Sequence, residues 1–352
     1  MWKRIALVAV VGVLGVALAM AYLAMRPAHA SASRAGRRTP VSVSCPTAHF
    51  CMLVDDQGDA IQSDDGTWSH PRTLQDTSLT SVSCSGPTFC VAVGVNGTAF
   101  VFRGSTWSGP TVMDPRAANQ VDGFGTSGVN TVSCATPTFC MAGDVLGRVS
   151  TFNGTRWTHP RPVEAPALSK QDRLSGTAGI SSVSCVAPRF CAVVTVHGRA
   201  LTFDGTTWSG PDALEPATVV SFDELRGLAT LGAVSCSGPS SCDAVDPAGN
   251  VFTFNGTTWS GPRSVAPQTL ADTDGATSIS CPTSGNCVVV DDEGNAVVGS
   301  AGSWSAPVSV EPDLGLATIS CAGSSFCVAL DDLGRATVFD GHSWSAPRDV
   351  DS

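Results

Sequence analysis

Charge is scarce in this chain. Asp, Glu, Lys and Arg make up 14% of its 352 residues, against roughly a quarter in ordinary soluble domains. Beyond the N-terminal forty residues there is one lysine, Lys170, and no basic stripe. A formal net charge of −10 with so few cations excludes a nucleic-acid partner, because phosphates recruit Lys and Arg. Tyrosine is nearly missing: Tyr22 is the only one, and it sits in an apolar N-terminal run. No G-x-S-x-G, H-E-x-x-H, P-loop or dinucleotide glycine motif occurs, so no cofactor and no metal site is expected. Helical periodicity is absent outside the N-terminal segment and one stretch, "FDELRGLATL", inside a longer link. What is plentiful is punctuation: 36 Gly and 22 Pro, set between short bounded apolar runs. That pattern reads as all-β with many turns, and the apolar runs argue against disorder.

The first thirty residues are a different material. "MWKR" precedes an apolar run from Ile5 to Met25, and Ala28-His29-Ala30 supplies a small-x-small cleavage site. As a helix the run would reach ~30 Å, enough to cross a bilayer, so a cleaved signal peptide and an uncleaved signal anchor are both open. Arg26, Arg34, Arg37 and Arg38 outnumber Lys3 and Arg4, contrary to the positive-inside preference. Either way the expectation is export, with 1–30 as signal or anchor, 31–40 as linker and 41–352 as the folded part. The membrane is reached only through this segment if it stays uncleaved. Its removal takes away Lys3, Arg4 and Arg26, leaving a net charge of −13.

Fourteen cysteines fall into seven pairs of identical C-x5-C spacing: Cys45/Cys51, Cys84/Cys90, Cys134/Cys140, Cys185/Cys191, Cys236/Cys242, Cys281/Cys287 and Cys321/Cys327. Each first Cys follows Val-Ser or Ile-Ser, and each unit ends in one Trp: 68, 107, 157, 208, 259, 304 or 344. Unit starts are separated by 39, 50, 51, 51, 45 and 40 residues. In the second unit "TSVSC" reads as a strand, "CVAVG" as the next, "TAFVF" as a third and "WSGPTVM" as a fourth. Asn-Gly and Asp-Gly at 153, 204, 255 and 340 precede the Trp and predict type I′ hairpin turns. Four antiparallel strands in each of seven such units define a seven-bladed β-propeller. A β-solenoid is the alternative, though its repeats do not normally carry three turns each.

Blade physics agrees with this reading. The continuous apolar runs "CMLV", "CVAV", "CAVV" and "CVVV" suit a strand buried on both faces. The crowded inner strand accounts for the small Ser and Thr of "SVS" and "TIS", and the Trp fills the wedge where blades splay apart. Facing positions of antiparallel strands lie about 4.5–5.5 Å apart at Cα, within disulfide range. Each seven-residue closure is worth roughly 2–2.5 kcal/mol on a chain-entropy model. Zinc is the rival, but its sites favour C-x2–4-C with a second pair or histidines beside them. Seven disulfides require an oxidising compartment, which favours the export reading of the N-terminus. Which strand would close the ring is not evident from the repeats, which run in phase.

The middle turns and the links between blades are expected on one face of the disc. The links after units two to five are long, and long loops on a rigid scaffold are where function is usually placed. They carry both signs of charge, including Arg116, Asp122, Lys170, Asp172, Arg173, Asp223, Glu224, Arg226, Asp272 and Asp274. The turns "VDDQG", "VDDEG", "LDDLG" and "VDPAG" place Asp55, Asp56, Asp291, Asp292, Asp331, Asp332 and Asp246 on that face. Such carboxylates suit a Ca²⁺ ion or a cationic partner; the plainer reading is that Asp is a good turn residue before Gly. The ligand-binding expectation therefore rests on Asp55, Asp56, Arg116, Asp223, Arg226, Asp291, Asp292, Asp331 and Asp332.

Two resemblances arise from these residues. "SDDGTW" at 63–68 resembles the Asp-box hairpin of sialidase-type propellers, a structural turn. Sialidases use a Tyr nucleophile, and Tyr22 cannot serve, so that activity does not follow. The whole unit, "SVSCxxxxFCVAVDxxGxAxxFxGxxWSxP", is similar to the repeats of exported actinobacterial propellers, found alone or as extracellular sensors attached to Ser/Thr kinases. That resemblance covers 41–350 and implies exported recognition or scaffolding, without naming a ligand. The expectation is a secreted or outward-anchored, non-catalytic propeller binding a protein or envelope glycan through its long-link face. Phe124, Phe222, Leu225 and Leu228 in the links favour a protein partner. The alternative is a secreted carbohydrate-active hydrolase or lyase, which needs only two carboxylates about 5–9.5 Å apart.

Overall fold

In the computed structural model, residues 38–114, 128–163, 179–220, 230–265, 275–300 and 302–350 are described. They form seven antiparallel sheets, one from each repeat, arranged as a β-propeller. Blade 1 shows the plan: an inner strand Pro40–Thr47, a second strand Phe50–Asp55, a third Asp59–Asp64, and an outer edge of two short pieces, Thr67–Trp68 and Arg72–Thr73. Blades 2, 4 and 5 have continuous outer strands, such as Thr106–Val112. The N-terminal signal or anchor segment lies outside the described residues. No helix among the described residues is long and apolar enough to cross a membrane.

The second strand is the core of each blade. Phe50–Asp55 and Phe89–Gly94 are buried at every position, because both faces are covered by neighbouring blades. Seven apolar clusters lie between adjacent blades. Burying side chains such as Leu53 or Phe252 contributes about 1.5–3 kcal/mol each. The tryptophans are half-buried and face the third strand: Trp107 meets Phe102 at 5.4 Å between ring centroids and Trp157 meets Phe152 at 5.2 Å. Where that Phe is missing the Trp lies over a small residue. A Cβ at Gly299 would come within 2.9 Å of the Trp304 ring.

All seven cysteine pairs are disulfides. Their Cα atoms lie 3.9–4.1 Å apart, closer than ordinary facing positions. The Asn-Gly and Asp-Gly turns differ from the type I′ expectation. Among the described residues Asp65 is the only non-glycine at positive φ. At the other sites the side chain itself closes the loop: Asn153 Oδ1 accepts from the N–H groups of Thr155 and Arg156, and Asp204 Oδ1 from those of Thr206 and Thr207. Thus only the glycine needs a left-handed conformation, as at Gly154 and Gly205. Those hydrogen bonds hold the Asp204 carboxyl well below its usual range.

The serine before each first cysteine does more than fit a crowded axis. Its Oγ accepts the backbone N–H of the first cysteine in the next blade. Ser44 serves Cys84, Ser83 serves Cys134, Ser133 serves Cys185, Ser184 serves Cys236, Ser235 serves Cys281 and Ser280 serves Cys321, at 2.8–3.0 Å. Ser320 completes the circuit by accepting from Cys45 N–H at 2.9 Å. A partial second ring runs two residues earlier, for example Ser42 to Val82 and Ser182 to Val234. Blade 5 carries Ala233 at that register and has no hydroxyl to offer. The ring closes without exchanging a strand. Blade 7 packs directly on blade 1, with Val328, Leu330 and Ala336 against Val43, Leu53 and Ile61.

Candidate functional site

Antiparallel pairing puts the middle turn and both ends of each link at the same end of a blade. The structure pins them together. The residue that ends each outer edge donates its N–H to the glycine carbonyl of its blade's middle turn: Leu74 to Gly58, Met113 to Gly97, Val163 to Gly147, Leu214 to Gly198, Val265 to Gly249, Val310 to Gly294 and Val350 to Gly334. Where a link enters the next blade, its last residue accepts from the middle turn there, as Gly128 does from Val145 and Gly179 from Val196; blade 5 has Pro247 at the donor position, and Thr230 instead donates to the Val196 carbonyl of blade 4. The long links therefore leave and return on one rigid rim of turns. Arg116, Asp223 and Arg226, with the other charged and apolar link residues named above, lie outside the described residues.

The first Asp of each turn is buried and closes it. Asp55 Oδ1 accepts from the N–H of Gln57 and Asp59 at 3.0 and 2.8 Å. Asp291 does the same for Glu293 and Asn295, and Asp331 for Leu333 and Arg335. Asp144 repeats it in blade 3, and Asp246 caps Asn250 in blade 5. The second Asp has another task in two blades: Asp56 accepts from Thr39 N–H and Asp292 from Gly275 N–H, fastening the start of the inner strand. Asp332 is exposed, its carboxyl raised by desolvation and by Asp331 beside it. The six aspartates of the ligand-binding expectation that lie among the described residues, Asp55, Asp56, Asp291, Asp292, Asp331 and Asp332, thus sit in the turns of blades 6, 7 and 1, which are consecutive around the ring.

The remaining oxygen of each buried Asp reveals a feature that the turn motif alone does not. In blade 3 Arg148 joins Asp144 Oδ2, at 2.6 Å, to Asp114 at the end of blade 2, at 2.8 Å. In blade 7 Arg335 joins Asp331, at 2.6 Å, to Glu311 at the end of blade 6, at 3.0 Å. Each is a guanidinium clasp between adjacent blades. The signal for it was an Arg four residues after the turn Asp. Blade 1 has Asp59 at that register, so the clasp has an acid where its cation belongs. Arg38 enters from the N-terminal linker instead, at 2.8 Å from Asp59 and 3.5 Å from Asp55. It lines a narrow notch with Pro40, Asp55, Gly334 and Val350, at the seam between blades 7 and 1.

The seam is electrostatically tense. Asp55 Oδ2 and Asp59 Oδ1 are buried and accept no hydrogen bond among the described residues. Burial pushes the Asp55 carboxyl up from its usual 3.8 to about 6; the adjacent Asp59 carboxylate adds to the rise, while the N–H of Asp59 opposes it. Burial also raises Asp144 and Asp291. On the opposite face, blade 5 holds another buried acid, Asp243, against the disulfide of blade 6. It makes one group of three with Cys281 and Cys287, but both sulfurs are bonded to each other and offer no thiolate to a metal.

No family model and no curated protein matches this sequence. Solved structures with the same fold are numerous. One described as "YCF48 bound to D1 peptide" is 15% identical with a TM-score of 0.60, covering 86% of this chain and 93% of that one. YCF48 from Cyanidioschyzon merolae is 14% identical, with a TM-score of 0.61 over 86% of this chain and 95% of that one. The WD40 β-propeller domain of Doa1 is 10% identical, with a TM-score of 0.58 over 86% and 93%. At these identities the likeness defines the fold. This chain is a seven-bladed β-propeller, stapled by a disulfide in every blade.

Proposed function

We propose that this protein is an exported, non-catalytic propeller that binds a protein partner in the cell envelope or outside the cell through the face carrying its long links. One observation carries the reading: both ends of the links are pinned to a rigid rim of middle turns. A rigid scaffold presenting variable loops is a binding architecture, because the loops can change without disturbing the core. The repeated serines are engaged in the inter-blade circuit. The second aspartates of the turns, Asp56, Asp292 and Asp332, with Arg116, Asp223 and Arg226 in the links, supply the polar part of the surface, while Asp55, Asp291 and Asp331 are buried beneath it as turn closers. A fold neighbour described as binding a peptide is consistent with a peptide or protein partner. Seven disulfides support an oxidising location.

The test uses residues 31–352, immobilised and incubated with a cell-envelope fraction of the source organism. A variant carries short Gly-Ser links in place of 115–127, 164–178, 221–229 and 266–274. Retention of a protein by the parent, lost in the variant, supports the reading. Equal retention by both forms moves the site off the link face and overturns it. Release of new soluble glycan or peptide fragments, absent after boiling, would replace it with the hydrolase or lyase reading.

A further inference from the structure

Six of the seven disulfides are faced, across a blade interface, by an apolar side chain from the second strand of the preceding blade. Met52 shares a cluster with Cys90, Val91 with Cys134 and Cys140, Met141 with Cys185 and Cys191, and Ala192 with Cys236 and Cys242. Val288 lies with Cys321 and Cys327, and Val328 with Cys45 and Cys51. All six occupy the position after the second cysteine of their own blade. In blade 5 that position is Asp243, set in the sheet between Ser235 and Thr253. Its Oδ2 lies 3.3 Å from Cys287 Sγ and 3.7 Å from Cys281 Sγ, while its Oδ1 accepts from Thr253 Oγ at 2.6 Å. The residue is 8% exposed.

A disulfide sulfur has no proton to donate, so Oδ2 faces two atoms that can only accept. A proton on Oδ2 is the arrangement that suits two acceptor sulfurs at 3.3 and 3.7 Å, and burial shifts the Asp243 carboxyl in the same direction. We propose that Cys281–Cys287 is the redox-responsive bond of the ring, opened by dithiol reductants ahead of the other six because Asp243 lies against it. The chemistry balances. A reductant thiolate attacks Cys281 Sγ, the S–S bond breaks, and the leaving Cys287 sulfur takes the proton from Asp243. The second thiol of the reductant then displaces Cys281 and closes the reductant's own disulfide. Two electrons pass to the protein; Cys287 holds the proton from Asp243, Cys281 takes the proton of the reductant's second thiol, and Asp243 is reprotonated from solvent, which had received the proton of the attacking thiol. A poor leaving group is aided by proton transfer. The product is aided as well, since two S–H donors now face an acceptor oxygen that had none.

Accessibility alone gives a different order. Cys84 and Cys321 are partly exposed, whereas Cys281 and Cys287 are buried. The experiment titrates the folded chain, residues 31–352, with dithiothreitol under native conditions, followed by alkylation of free thiols and peptide mapping by mass spectrometry. Cys281 and Cys287 are expected to label at about tenfold less dithiothreitol than the other pairs, the size of one hydrogen bond to a buried acid. Asp243→Val places at this position the residue that blades 2, 6 and 7 already carry, and it should remove the selectivity. Opening of Cys84–Cys90 and Cys321–Cys327 first in the parent would overturn the proposal. So would an unchanged order in the variant, or simultaneous opening of all seven.

Discussion

Asp55 shows how one carboxylate can support a turn and strain a seam together. Its Oδ1 closes the hairpin through two backbone N–H groups, and an asparagine oxygen would do the same. Its charge is another matter, because burial beside Asp59 favours the protonated form. A group whose folded pKa is raised stabilises most below its unfolded value and loses that contribution as pH climbs through the folded one. Here the window runs from 3.8 to about 6. Asp55→Asn should therefore equal or exceed the parent in urea midpoint at pH 7.5, and should lose the parent's fall in midpoint across that window. A parallel pH profile for the two proteins would show that Asp55 is not the titrating group. The turn aspartates were legible at this scale, since Asp before Gly is turn chemistry. The buried acid at 243 was not, because only the facing blade shows which sulfurs it meets.

At the scale of elements, the blade is a self-contained sheet whose neighbours are joined by apolar packing, serine hydroxyls and guanidinium clasps. In blade 1 the cation is supplied by the linker, where Arg38 pairs with Asp59 and Asp55 beside the seam with blade 7, and that makes Arg38 part of the folded unit although the repeat pattern begins after it. Arg38→Ala should lower stability by about 1–2 kcal/mol at pH 8, discounted for the partial exposure of the arginine. The loss should shrink as pH falls below about 6, where the Asp55 carboxyl takes up a proton. Arg38→Ala combined with Asp59→Arg places an arginine four residues after Asp55, the register of Arg148 and Arg335, and should restore the midpoint on both sides of that pH. Failure of the double variant to recover would mean that the linker holds the seam by other means. The four strands of each blade, their burial and the hairpin spacing could be read from residue order, because each blade is a local meander. The clasps could not, since they join residues as far apart as Asp114 and Arg148.

For the whole molecule, closure is the distinctive feature. Each blade is one continuous segment, and the ring is sealed by the Ser320 to Cys45 hydrogen bond and by apolar packing of blade 7 on blade 1. Among the described residues no strand is exchanged between the first and last blades. A circular permutant that joins the region of Val350 to Arg38 by a short linker and opens the chain within 164–178 should fold to a protein whose thermal midpoint lies within a few degrees of the parent. A large loss would indicate that the native order of blades matters for closure. The repeat period, the seven cysteine pairs and the turn residues specified the propeller and its staples, because these depend on interactions within about fifty residues. Ring closure, the serine circuit, the borrowed Arg38 and the meeting of Asp243 with a disulfide were decided by tertiary structure. Each requires a face of one blade to meet a face of the next, and no spacing along the chain encodes which side chain stands opposite.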